Sequence, residues 1–182
     1  MRIFLAGVSC VGKTTIGEKL ADRLRWRFFD LDAEVERFFQ TPIEQLIKRH
    51  PTMNAFRDKA AQALQNILTR DGSLNCIIAL PPSGLLGGYW KVIRKLNDTT
   101  IVVLRDTPEN ILKRITFYDE ESRPLERALT DRQKRYYLRK IKGDISYFDK
   151  SYCRAHMCVD IVGCDPGKAA RKVADALVAL IR

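Results

Sequence analysis

The chain has 182 residues, 46% hydrophobic and 30% charged, with a formal net charge of +10. That profile fits one globular domain with a sizeable core and argues against a disordered chain; no run of about 18 apolar residues suggests a membrane span. The excess charge leaves nucleic acid, a membrane surface or a polyanionic small ligand as partner classes. Five cysteines form no CxxC pair and His50 and His156 stand far apart, so neither a disulfide framework nor a zinc site is indicated.

Arg2 to Ala6 is a short apolar run that ends in glycine and reads as a strand. Because it begins at once, without a basic region, an apolar core and a small-residue cleavage site, a cytoplasmic location is expected. Thr14 to Leu24 has helical spacing (Ile16, Leu20, Leu24), and Trp26 to Phe29 begins a second strand. Asn75 to Leu80 and Thr100 to Leu104 have the composition of buried strands, and Thr107 to Ile115 opens like a helix with proline in its first turn. Cys158 to Val162 reads as a last strand before an amphipathic helix from Asp165 to Ile181. Such alternation predicts an α/β fold of three layers, a central parallel sheet covered by helices.

Between the first strand and helix, Gly7, Val8, Ser9, Cys10, Val11, Gly12, Lys13 and Thr14 fit G-x-x-x-x-G-K-[ST] at every constrained position. Glycines let the backbone turn its N–H groups around phosphate, and the helix adds the positive end of its dipole. ATP is therefore the expected nucleotide, bound by Gly7, Ser9, Val11, Gly12, Lys13, Thr14 and Thr15. Lys13 would bridge the terminal phosphates and the Thr14 hydroxyl would ligate Mg2+. In "FFDLDAEVE", Asp30 and Asp32 arrive where a second strand would deliver them, and at i and i+2 of an extended segment both would face the cradle. Asp30 is the expected magnesium partner and Asp32 the group that orients or deprotonates an acceptor hydroxyl; the same pair also fits a helix N-cap.

At this point the chain resembles the shikimate kinase family, small P-loop kinases of the nucleoside-monophosphate-kinase fold. "GKTTIGEKLADRL" followed by "FFDLDAEVE" is similar to that family's start. "AFRDK" resembles its Phe-Arg element, which implies that Arg57 holds a substrate carboxylate. "SRPL" resembles its lid motif, which implies a catalytic Arg123 in a mobile basic lid of about residues 117–150. "VDIVGCDPGKA" resembles its adenine loop, with Val159, Asp160, Pro166 and Gly167, and Arg114 stands about where the adenine-stacking arginine would be. From Arg123 to Arg154 ten Lys or Arg face four Asp or Glu, which suits a basic lid over phosphates.

The substrate side departs from the family pattern. Pro81, Pro82 and Ser83, followed by Gly84, stand where the family places three glycines, and two prolines remove two N–H donors. Ser83 and the Gly84 N–H are the candidates to compensate. Ala60 replaces the glutamate that braces the carboxylate-binding arginine, and the position of a second such arginine falls on Tyr147, with Arg139, Lys142, Lys150 or Arg154 as possible replacements. The expectation is an ATP- and magnesium-dependent kinase of a small, polar, anionic metabolite, acting as a monomer, with shikimate as the best single acceptor. The alternatives are a kinase of another sugar acid, a polyol or a nucleoside monophosphate, or an ATP-binding regulator that transfers nothing. A nucleic-acid partner for "RQKRYYLRKIKG" is not expected; a helix packing Tyr136, Tyr137 and Ile141 inward explains the same residues.

Overall fold

The computed structural model describes residues 1–70, 73–119, 121, 123–125 and 128–181. Three apolar runs form the centre of the sheet: β1 (Arg2–Ala6), β3 (Cys76–Ala79) and β4 (Thr99–Arg105). Their inner residues are buried without alternation, as expected of parallel strands covered on both faces. The shorter β2 (Arg27–Asp30) and β7 (Met157–Asp160) form the edges, giving the order β2-β3-β1-β4-β7, parallel throughout.

Handedness then distributes the helices. From β1 the chain passes through α1 (Lys13–Leu24) to β2, towards one edge of the sheet. It returns to β3 through α2 (Leu31–Phe39), α3 (Ile43–Lys48) and α4 (Met53–Thr69), and continues the same way to β4 through α5 (Gly87–Ile93). Right-handed crossovers running in opposite directions occupy opposite faces, so α1 lies on one face and α4 and α5 on the other. The last helix, α8 (Pro166–Ile181), packs beside α1, while α4 packs on α5.

Between β4 and β7 come α6 (Pro108–Lys113), a hairpin of β5 (Phe117–Tyr118) and β6 (Pro124–Leu125), and α7 (Asp131–Tyr152). Thr130 and Gln133 close a reciprocal capping box at the start of α7, a device in which losing the threonine typically costs about 1 kcal/mol. Ile141 and Tyr152 anchor this helix in the core. Of the stretch expected to form the lid, residues 131–150 thus belong to an anchored helix. Tyr136 is 55% exposed, against the expectation that it packs inward. None of the described helices is long and apolar enough to cross a membrane.

Candidate active site

The strands end at one edge of the sheet, where ligands of open α/β sheets bind, and four connections meet there. The first, after β1, is the glycine-rich loop. Gly7 has φ +142°, and a Cβ there would stand 2.8 Å from the Leu104 carbonyl oxygen and 3.0 Å from Val11 Cγ1, so only glycine fits. Helix α1 starts from Gly12, in a left-handed conformation, with no side-chain cap. Its first N–H groups are left for a ligand, which suits an anion. The Lys13 ammonium lies inside the loop and donates to the carbonyls of Gly7 (3.0 Å) and Val8 (2.9 Å). Burial lowers its pKa to about 8, against the opposing pull of Asp32 and Asp30. A bound triphosphate would restore full protonation by supplying negative charge.

The two aspartates reach this loop by a route other than the predicted one. Asp30 ends β2 and caps α2, its Oδ1 accepting from the backbone N–H of Asp32 (3.1 Å) and Ala33 (3.4 Å). Asp32 therefore sits in the first turn of a helix, and the two-residue spacing of an extended strand does not apply. The other Asp30 oxygen accepts the Thr14 hydroxyl at 2.6 Å. One carboxylate thus caps a helix and touches the loop's threonine, so the N-cap reading holds and capping does not take Asp30 away from the loop. Burial raises the Asp32 pKa to about 6, with Asp30 adding to the rise and Lys13 opposing it. A carboxylate with that value can accept a proton near neutral pH.

Whether the residues fit magnesium can be judged from this donor set. Among the described residues no three His, Cys, Asp or Glu side chains enclose a metal. A hydroxyl and one carboxylate beside a phosphate cradle is nevertheless the set Mg2+ uses when nucleotide oxygens and water complete its shell. Thr14 and Asp30 fit.

Arg57 on α4 is 7% exposed. Its Nη1 donates to Asn54 Oδ1 at 2.8 Å, and no carboxylate of the described residues pairs with it. Asn54, one turn before, supplies a brace where Ala60, one turn after, supplies none. The sequence reading missed Asn54 because it sought the brace on the other side.

The connection after β3 holds Pro81, Pro82, Ser83 and Gly84, and its polar groups turn back into the protein. The Gly84 N–H donates to the Pro81 carbonyl (2.8 Å) and the Leu86 N–H to the Ser83 carbonyl (2.9 Å). The Tyr152 hydroxyl donates to the Pro82 carbonyl at 3.0 Å, while Arg154 donates to the Leu85 carbonyl and stacks 5.1 Å from the Trp90 ring. The Gly84 N–H is therefore committed and does not compensate for the missing glycines as expected. Ser83 is buried, and Arg154 braces this loop instead of standing free as a second clamp.

The remaining candidates lie around β4, α7 and β7. Arg114 donates to the Val11 carbonyl at 2.7 Å and pairs with the buried Asp106 carboxylate, so it buttresses the glycine loop. Pro166 begins α8 beside Asp165, whose Oδ1 caps that helix through the N–H groups of Gly167 and Lys168. Ser9 is exposed at the loop's tip, and Thr15 is exposed on α1. Arg123 is 71% exposed and bonded within its own hairpin, to Asp119 (2.7 Å) and Glu121 (3.0 Å), with no bond to the glycine loop. Tyr147 points to solvent. Tyr137, Lys140, Ile141 and Asp144 of α7 line a cavity of about 210 Å³ with Ser9 and Cys10 of the glycine loop. The sequence reading did not single out Lys140, since only the phase of α7 tells which of its many basic residues faces the loop.

The chain is similar to known proteins. A family model described as shikimate kinase matches residues 9–177. A shikimate kinase of Moorella thermoacetica is 30% identical over 97% of this chain and 94% of its own length. One of Persephonella marina is 28% identical over 99% of this chain and 98% of its own. Among solved structures, that of shikimate kinase from Bacteroides thetaiotaomicron superposes with a TM-score of 0.77 over 98% of both chains, at 19% identity, which speaks for the fold.

Proposed function

The chain belongs to the shikimate kinase family, and from that premise we propose that it transfers the γ-phosphoryl group of magnesium-bound ATP to a hydroxyl of a small anionic metabolite. Shikimate, named in the relatives, is the first acceptor to test. The observation that carries this reading is the convergence of Lys13, Thr14, Asp30 and Asp32 on one uncapped helix start, within hydrogen-bond or electrostatic reach of one another.

In this mechanism the N–H groups from Gly12 to Thr15, with Ser9 and Val11, receive the phosphates, and Lys13 leaves the Gly7 and Val8 carbonyls to bridge the terminal pair. Thr14 and Asp30 would hold Mg2+, which would supply charge neutralisation at the phosphates. Asp32 accepts the proton of the acceptor hydroxyl, or orients it, while Arg57 holds the acceptor's carboxylate. Arg114 and the turn at Pro166 flank the adenine. Arg123 exchanges its partners Asp119 and Glu121 for the transferring phosphoryl group when the β5–β6 hairpin closes, which also excludes water. Lys140, which lines the cavity beside Ser9 and Cys10, adds positive charge on the side of the glycine loop.

The inward-turned Pro81–Gly84 connection favours a second reading, in which the acceptor is a different sugar acid. ADP release with Mg–ATP, against shikimate, sugar acids, polyols and nucleoside monophosphates, tests both. Release that depends on shikimate supports the first, and release with another acid supports the second. No acceptor-dependent release while ATP binds measurably would leave a nucleotide-binding regulator.

A further inference from the structure

Two buried side-chain atoms have no hydrogen-bond partner among the described residues, Arg57 Nε and the Tyr89 hydroxyl. They belong to the same contact. Helix α5 begins hard against α4: a Cβ on Gly87 would stand 3.3 Å from Arg57 Cβ and Cδ, and one on Gly88 would stand 2.7 Å from the Arg57 carbonyl oxygen. The paired glycines bring the next residue, Tyr89, into the core at 0% exposure. Its hydroxyl lies in electrostatic reach of both Asp32 and Arg57; burial, with Asp32 adding and Arg57 opposing, raises its pKa and keeps it a donor.

Buried donors in folded proteins are almost always paired. Here two go unpaired where α5 presses on α4, one of them on a cation that has no carboxylate partner among the described residues, and Tyr89 lies in electrostatic reach of that cation and of the carboxylate expected to handle the acceptor hydroxyl. One oxygen acceptor of negative charge would satisfy both. We propose that Tyr89 Oη and Arg57 Nε together bind one carboxylate of the acceptor, which makes Tyr89 the residue that selects acids over uncharged polyols. The inference rests on the kinase reading above and deepens it: donors that Pro81 and Pro82 remove from the loop after β3 are replaced by a hydroxyl from the next helix. Asn54 takes one Nη1 N–H, and Nε is the buried guanidinium N–H that lacks a partner.

The test compares wild type with Tyr89→Phe, which removes only the hydroxyl, using shikimate, D-gluconate and the uncharged D-glucitol as acceptors. For an acid that is phosphorylated, Tyr89→Phe is expected to raise its KM by about tenfold to a hundredfold, as for loss of a hydrogen bond to a charged group. The KM for ATP should stay within about twofold, by the same reasoning, because Tyr89 does not reach the nucleotide. The Tm should be unchanged or higher, since the free protein loses an unpaired group. An unchanged KM for the acid, a lowered Tm, or a wild-type preference for D-glucitol would each overturn the inference. If none of the three is phosphorylated, these three acceptors are lost to the kinase reading, separately from the role of Tyr89. Titration of the two acids into the protein with Mg–ADP then decides: binding weakened by Tyr89→Phe upholds the role, and equal or absent binding overturns it.

Discussion

The connections after β1 and after β3 lie side by side, because their strands are paired from Arg2 with Cys76 to Leu5 with Ala79. They treat their polar groups in opposite ways. The first leaves a helix start uncapped and folds its lysine onto its own carbonyls, contacts that a phosphate can replace. The second, with two prolines and a committed Gly84 N–H, is closed on itself and fastened by Tyr152 and Arg154. The contrast separates the two loops: the one after β1 leaves N–H groups for a ligand, the one after β3 commits its own, and the buried donors without a partner among the described residues lie on α4 and α5.

The most severe way to break the comparison is Lys13→Ala. Turnover should fall by at least about a thousandfold with the circular dichroism spectrum unchanged, as for loss of a group that stabilises transferring phosphate. Retained wild-type turnover would sink the nucleotide half of the account. Next comes Asp32→Asn, with an expected loss in kcat of about a hundredfold to ten-thousandfold. The wild-type pH profile sharpens the same point. Burial holds the Asp32 pKa at about 6, and the working form is the deprotonated one. Activity should therefore fall as pH drops below about 6, and a flat profile down to pH 5 would exclude Asp32 as the proton acceptor.

Arg123→Ala tests the hairpin. A loss in kcat of about a hundredfold, with ATP affinity changed little, would match a residue that reaches the phosphoryl group only on closure. The smallest effect belongs to the fastened loop. Tyr152→Phe removes one hydrogen bond to Pro82, so stability should drop by about 1 kcal/mol in urea titration while the KM for ATP holds. An ATP KM that rises with it would show that the two loops are not separable.

The parts legible in the sequence are those governed by local rules. The glycine loop could be read because its backbone conformation restricts residue type over a few positions, and the central strands because burial on both faces leaves an apolar run. Asp30 and Asp32 were chosen from an extended-strand geometry that the chain does not use; they still meet the loop because the strand-to-helix turn delivers Asp30 as a cap. The substrate side was harder because it depends on packing between elements distant in sequence. Asn54 braces Arg57 through a helical turn before it, Lys140 faces the glycine loop through the phase of a long helix, and Tyr89 meets Arg57 only because two glycines let α5 press on α4. Most of the chain between Arg123 and Ala155 is taken up by the 22 residues of α7.

The most direct test of phosphoryl transfer is the 31P NMR spectrum of a reaction containing the protein, Mg2+, ATP and shikimate, with Lys13→Ala as the control. Expected is a phosphomonoester resonance that grows in step with the ADP signals in the wild type and is absent from the control. ADP accompanied only by inorganic phosphate, or no ADP beyond the control, would contradict transfer to that acceptor.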